Sequence, residues 1–248
     1  LIPVVKERTR TDYPQINRID DHGVQWIELN RGCKRGCEFC HADPNFKTFD
    51  MPEIKSNRVQ IVGEGVLFDK DILEKFRVLG QQKVDKKVVY YGLSQGVDFR
   101  LLRREIAEVM VKARIGLINS KGNWYKGMRI AWDMGLEYEF NIGLALDLLA
   151  DVGYSRKYSM VFVLVNWKIQ YQDCLYKLAK LKEWGVRIDD CFFDTTKKEK
   201  FPKFWTYEEL KDFRAKARKH NQLISFNGYD PEITPQSRGK DENSGEDK

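Results

Sequence analysis

Residues 159–193 read SMVFVLV (Ser159–Val165), NWKIQ, YQDCLYKLAKLKEW (Tyr171–Trp184), Gly185 and VRIDDCFF (Val186–Phe193). The first and last runs are rich in β-branched and aromatic residues, which pack well on a pleated surface and so predict strands. Between them Tyr171, Leu175, Leu178 and Leu181 recur every three or four residues, and polar side chains fill the other face. Gly185 stands where a C-cap glycine belongs. That pattern predicts an amphipathic helix laid on a sheet. Strand, helix and strand joined by short links imply a right-handed crossover and parallel pairing.

The same alternation extends back through the chain. Val24–Leu29, Arg58–Val62, Lys87–Leu93 and Met128–Trp132 read as four more strands. Asp69–Leu79, Phe99–Ala113 and Tyr138–Ala150 read as the helices between them, and Tyr207–His220 as a helix after the last strand. The link from Cys40 to Arg58 contains Pro44 and Pro52 and admits at most a short helix. The expected fold is α/β, with a parallel sheet, outer helices and no internal repeat.

The chain has 248 residues, 42% of them hydrophobic and 12% aromatic, enough for one sizeable core. One domain over about 21–226 is expected, with extensions at 1–20 and 227–248. Gly239–Lys248 carry no apolar side chain and read as a disordered tail. The chain opens on Leu1, as an N-terminally trimmed sequence does. No apolar run approaches the ~20 residues of a membrane span, and no signal segment opens the chain. These features point to a cytoplasmic protein with no membrane association and with reduced thiols. The net charge of +6 weakly favours an acidic partner.

Three of the five cysteines stand in RGCKRGCEFC, where Cys33, Cys37 and Cys40 follow a C-x3-C-x2-C spacing directly after the first predicted strand. Random placement would give this spacing in roughly two chains per thousand, so the cluster has a cause. A disulfide framework fits poorly, because Cys174 and Cys191 stand alone and five cysteines do not pair off. A structural zinc site, in a non-catalytic metal-binding module, needs a fourth ligand that His41 is badly placed to give. Three thiolates without a fourth instead suit an open metal site, in which one coordination position is left for a ligand.

The segment, with Phe39 just before its last cysteine, resembles the cluster motif of the radical S-adenosylmethionine enzymes. The resemblance implies a six-stranded partial (β/α) barrel and a [4Fe-4S] cluster held by Cys33, Cys37 and Cys40. It further implies that S-adenosylmethionine chelates the fourth iron and is cleaved reductively to methionine and a 5′-deoxyadenosyl radical, which abstracts hydrogen from a substrate. An external electron donor of the flavodoxin or ferredoxin type is implied as well. Phe39 then lies beside the adenine. Gly63-Glu64 corresponds to the family's Gly-Gly-Glu, with Val62 in place of the first glycine, and Glu64 meets the ammonium of S-adenosylmethionine.

In parallel α/β folds the chemistry gathers at the C-terminal ends of strands. Asn30, Glu64, Ser94, Gln95, Asp133, Asn166 and Asp194 occupy those ends, although turns are often polar for their own sake. Ser94 and Gln95 are candidates for the ribose or methionine end of the cofactor. Asp98 is a candidate N-cap for the next helix, and Arg100 for a bidentate pair with a carboxylate. Asp133 and Asn166 complete the expected cofactor set. By strand alternation Arg129 and Asp133 share one face and form a candidate pair.

The substrate is less legible. Lys197–Trp205 interleaves basic and aromatic residues, and Lys211, Arg214, Lys216, Arg218, Lys219 and His220 follow. Single-stranded nucleic acid sites use that mixture, while aromatics covering a sheet edge beside a solvated basic helix would give the same pattern. No cobalamin-binding segment is recognisable in these 248 residues, and Cys174 and Cys191 cannot ligate a second full cluster.

Overall fold

The computed structural model describes residues 14–40, 42–193 and 204–227. In chain order it begins with β1 (Asn17–Ile19), β2 (Gln25–Glu28), β3 (Asn30–Arg31), β4 (Lys47–Thr48), β5 (Arg58–Val62) and α1 (Ile72–Gln81). Next come β6 (Lys83–Val84), β7 (Lys87–Val88), β8 (Tyr90–Leu93), α2 (Arg104–Lys112), β9 (Ile115–Ile118) and β10 (Trp124–Tyr125). The rest is β11 (Arg129–Ala131), α3 (Glu139–Asp151), β12 (Met160–Val165), α4 (Tyr171–Glu183), β13 (Arg187–Phe192) and α5 (Tyr207–Asn227).

β2, β5, β8 and β9 are parallel, with β1 and β10 antiparallel at the two edges. β11, β12 and β13 form a second parallel group. A single parallel bridge, Val97 to Ile130, links the two groups just beyond the end of β8. The fold is therefore mixed α/β with parallel strands.

Side-chain parity sorts the strands cleanly. Ile27, Val59, Ile61, Tyr91, Leu93, Ile115, Ile130, Val161, Val163 and Ile188 share one face and are buried almost completely. They belong to one apolar cluster with Phe76 of α1, Met110 of α2, Leu146 of α3, Leu181 of α4 and Phe213 of α5. All five helices thus cover the same face, because each presents its apolar stripe there. The opposite face carries Glu28, Gln60, Ser94, Arg129, Asp133, Arg187, Asp189 and Cys191. Trp26, Met160, Phe162 and Leu164 share that face, so its polar side chains stand among apolar ones.

Each expected strand is present, with differences that have local causes. Lys87–Leu93 divides: Asp85 and Lys86 at positive φ turn Lys87–Val88 back on Lys83–Val84, and only Tyr90–Leu93 enters the sheet. β9 was not expected from the sequence, being a four-residue run interrupted by Gly116. The expected helix Phe99–Ala113 starts later, at Arg104. The Asp98 side chain accepts from the Arg100 N–H at 3.1 Å and its carbonyl from the Leu101 N–H at 3.0 Å, which closes a turn first. Asp98 is accordingly not the N-cap; Arg103 holds that position.

Candidate functional site

The cysteine loop leaves β2 through the buried Leu29 and Asn30. Its backbone is fastened at both ends: the Cys33 N–H donates to Asp43 O at 2.8 Å and the Cys40 N–H to Cys37 O at 3.0 Å. The Ala42 N–H donates to Cys40 Sγ at 3.4 Å. Cys33, Cys37 and Cys40 are free thiols of intermediate exposure. Burial pushes the Cys33 and Cys37 thiols up, and repulsion from the neighbouring cysteines adds to it. A cation among them reverses that balance. Among the described residues, no three His, Cys, Asp or Glu side chains converge as the ligands of one metal ion do.

The end of β5 presses directly on this loop. Gly63 has φ 125°, and a Cβ there would stand 2.2 Å from Asn30 O, so only glycine fits. At Gly65, with φ 62°, a Cβ would stand 3.1 Å from Cys33 Sγ. Asn30 Nδ2 donates to Glu64 O, and the Gly32 N–H donates to a Glu64 carboxylate oxygen at 3.1 Å. Gly63 and Glu64 therefore lie at the base of the cysteine loop. Asn30 Oδ1 is buried with no hydrogen-bond partner.

At the end of β8, the Ser94 hydroxyl donates to Ile61 O at 3.2 Å and Gln95 is exposed. Asp98 accepts from Arg100 Nε at 2.8 Å and Nη2 at 3.1 Å, and from Arg35 Nε at 2.7 Å. Burial works against the Asp98 charge, but the Arg100 and Arg35 hydrogen bonds outweigh it and hold the carboxyl below its usual value. Arg100, expected to wait for a ligand carboxylate, is thus paired within the chain. It is still near enough to Cys37 for its charge to favour the thiolate.

Arg129 and Asp133 share a face as expected, but they do not pair. Arg129 Nε lies 3.6 Å from Asp189 Oδ2 on β13, and Nη1 donates weakly to Ser94 O at 3.4 Å. The reason is register: Asp189 stands one row from Arg129, while Asp133 stands two rows further along its own chain. Asp133 accepts from the Leu164 N–H and faces Lys177, yet burial dominates and pushes its carboxyl up to about 6. Its Oδ1 is sealed from solvent and unpartnered. The Asp133 charge adds to the burial that pushes the Cys37 and Cys191 thiols up.

Lys177 is a charged residue of α4. It is fully buried, and its ammonium donates to Trp132 O at 2.9 Å and to Met134 O. Its spacing from Cys174 and Leu181 on α4 was the available signal. Phe39 meets Trp167 edge on at 6.1 Å, and Trp167 packs on Phe193 and Phe204 at 4.3 and 5.2 Å. Asn166, at φ 59°, is engaged by the same structure. Its Oδ1 accepts from the Phe204 and Trp205 N–H groups at 3.0 and 3.2 Å, and its Nδ2 donates to Phe193 O.

Two residues of the basic and aromatic stretch are buried, Trp205 and His220. Trp205 packs edge on against Tyr171 and Phe213 and donates to Ile169 O at 2.9 Å. His220 Nε2 lies 2.7 Å from Val186 O, and burial lowers its pKa. Lys211, Arg214, Lys216, Arg218 and Lys219 are exposed on α5, with Arg214 paired to Asp190 and Lys216 to Asp212. His41, Asp194 and Lys197–Lys203 lie outside the described residues. None of the helices among the described residues is long and apolar enough to cross a membrane. No protein-family model and no curated protein matches the chain, which leaves the residues themselves as the ground for a functional reading.

Proposed function

We propose that the chain is a radical S-adenosylmethionine enzyme built on a partial (β/α) barrel, with its site at the strand ends around the cysteine loop. Two features favour the barrel: the helices cover one face of the strands, and the loop after β2 touches the loop after β12 through Phe39 and Trp167. Glu38 and Lys168 pair across the same junction at 2.5 Å. The carrying observation is the juxtaposition of three half-buried thiols with the glycine-rich end of β5, where Gly65 abuts Cys33 Sγ.

Cys33, Cys37 and Cys40 are the residues that would hold a [4Fe-4S] cluster. Three cysteine ligands leave the fourth iron of such a cube open to a ligand, whereas a structural zinc site asks for a fourth protein ligand. When bound, the cluster supplies the electron that cleaves the sulfonium of S-adenosylmethionine. The chain's part is to position that cofactor. Glu64 offers a carboxylate to its ammonium, and Asn30 Oδ1 is a buried acceptor that lacks a donor. Asp133 Oδ1 is a second buried acceptor without a hydrogen-bond partner. Phe39 and Trp167 form an apolar wall that limits water at the loop.

The test is chemical. Anaerobic protein reconstituted with iron and sulfide, then reduced with dithionite, forms 5′-deoxyadenosine from S-adenosylmethionine, and Glu64→Ala weakens cofactor binding more than tenfold while keeping the iron. A reconstituted protein that leaves S-adenosylmethionine intact contradicts the proposal.

A further inference from the structure

Arg129 and Arg187 occupy one register row on the helix-free face of the three-stranded group. Arg129 pairs in register with Met160, and Met160 with Arg187. The two arginines therefore rise from strands about 10 Å apart, two strand spacings, with the buried Met160 as an apolar floor between them. Both Nε atoms are sealed from solvent and lack a hydrogen-bond partner. Arg187 has no ion-pair partner among the described residues, and the polar contacts of the Arg129 side chain are the long one to Asp189 and the weak one to Ser94 O, with its guanidinium over the Phe162 ring at 5.7 Å. Neither arginine has a fitted acceptor. Both side chains remain partly open to solvent.

We propose that this pair is a clamp for the phosphoryl group of a small phosphorylated substrate. A guanidinium presents two parallel N–H groups, and two arginines rising from strands about 10 Å apart can together match a tetrahedral oxyanion with several acceptor oxygens. A carboxylate has only two oxygens and is satisfied by one fork, which leaves the other arginine unmatched. Asp189 tempers the site, since its charge offsets one arginine and holds Arg129 at 3.6 Å until a better acceptor arrives. The clamp lies two rows below Asp133 and Cys191, so a substrate gripped there extends along that face toward the strand ends. It stands whether or not the cysteines carry iron.

The experiment is calorimetric titration of the full, metal-free chain with ribose 5-phosphate, inorganic phosphate and acetate. Ribose 5-phosphate and phosphate bind saturably and acetate does not; a stronger response to the sugar phosphate identifies an ester rather than the free ion as the ligand. Arg187→Gln breaks no hydrogen bond within the described chain, so it folds, and it weakens phosphate binding about tenfold or more. Asp189→Asn moves affinity the other way and tightens it several-fold, a gain that misfolding cannot mimic. Lys211→Gln on the exposed face of α5 changes nothing. Equal binding of acetate, or phosphate affinity untouched by both Arg187→Gln and Asp189→Asn, overturns the clamp.

Discussion

Arg35, lying between the first two cysteines of the motif, donates to Asp98 at 2.7 Å and so ties the cysteine loop to the segment that follows β8. Because Asp98 also accepts two bonds from Arg100, one carboxylate serves two guanidiniums. Its pKa is held below the ordinary value, so its stabilisation is present above about pH 4 and fades as pH falls through the lowered value. Asp98→Asn costs about 1 to 2 kcal/mol at pH 7 in denaturant unfolding and measurably less at pH 3. An equal cost at both values would mean that the ion pairs do not form.

Asp133 has the opposite linkage. Burial raises its carboxyl to about 6, so the folded chain keeps a proton that the unfolded chain loses near pH 4. Its contribution to stability therefore declines as pH rises from about 4 to about 6. Asp133→Asn removes that decline, and the metal-free variant gains about 1 to 2 kcal/mol over wild type at pH 8 while matching it at pH 4. Thermal melts at the two pH values decide it, and a variant less stable at pH 8 would contradict the assignment.

Trp205 is a core residue, packed on Tyr171 and Phe213 beneath α5. Trp205→Ala leaves a cavity and an unpaired Ile169 carbonyl, and lowers stability by about 3 to 5 kcal/mol. A folded variant with undiminished stability but reduced affinity for single-stranded RNA would restore the stacking role.

Periodicity carried most of the fold. The Tyr171, Leu175, Leu178 and Leu181 spacing found α4 to within a residue at each end, and the β-branched runs found β5 and β12. Where local chemistry competed, it misled. Ile115–Ile118 was too short and too interrupted to announce a strand, and Asp98 looked like a cap because capping and turn-closing aspartates use the same oxygen. For the site, the cysteines, Gly63 and Glu64 were legible because motif spacing is local. Lys177, Arg35 and the Arg129–Arg187 row were not, because strand register and loop contacts across 63 residues decide them. The failed Arg129–Asp133 pair makes the point: parity fixed the shared face, but only register revealed Asp189 as the nearer partner.

The most direct measurement is the iron and acid-labile sulfide content of anaerobically reconstituted protein, with electron paramagnetic resonance of the reduced sample before and after S-adenosylmethionine is added. The account predicts about four irons and four sulfides per chain and a spectrum that changes with the cofactor. It also predicts that Cys37→Ala loses the cluster, while Cys174→Ala, whose thiol is buried on the Leu164 carbonyl, and Cys191→Ala keep it. One tightly bound zinc per chain with no capacity for iron, or loss of iron in the Cys174 or Cys191 variant, would contradict it.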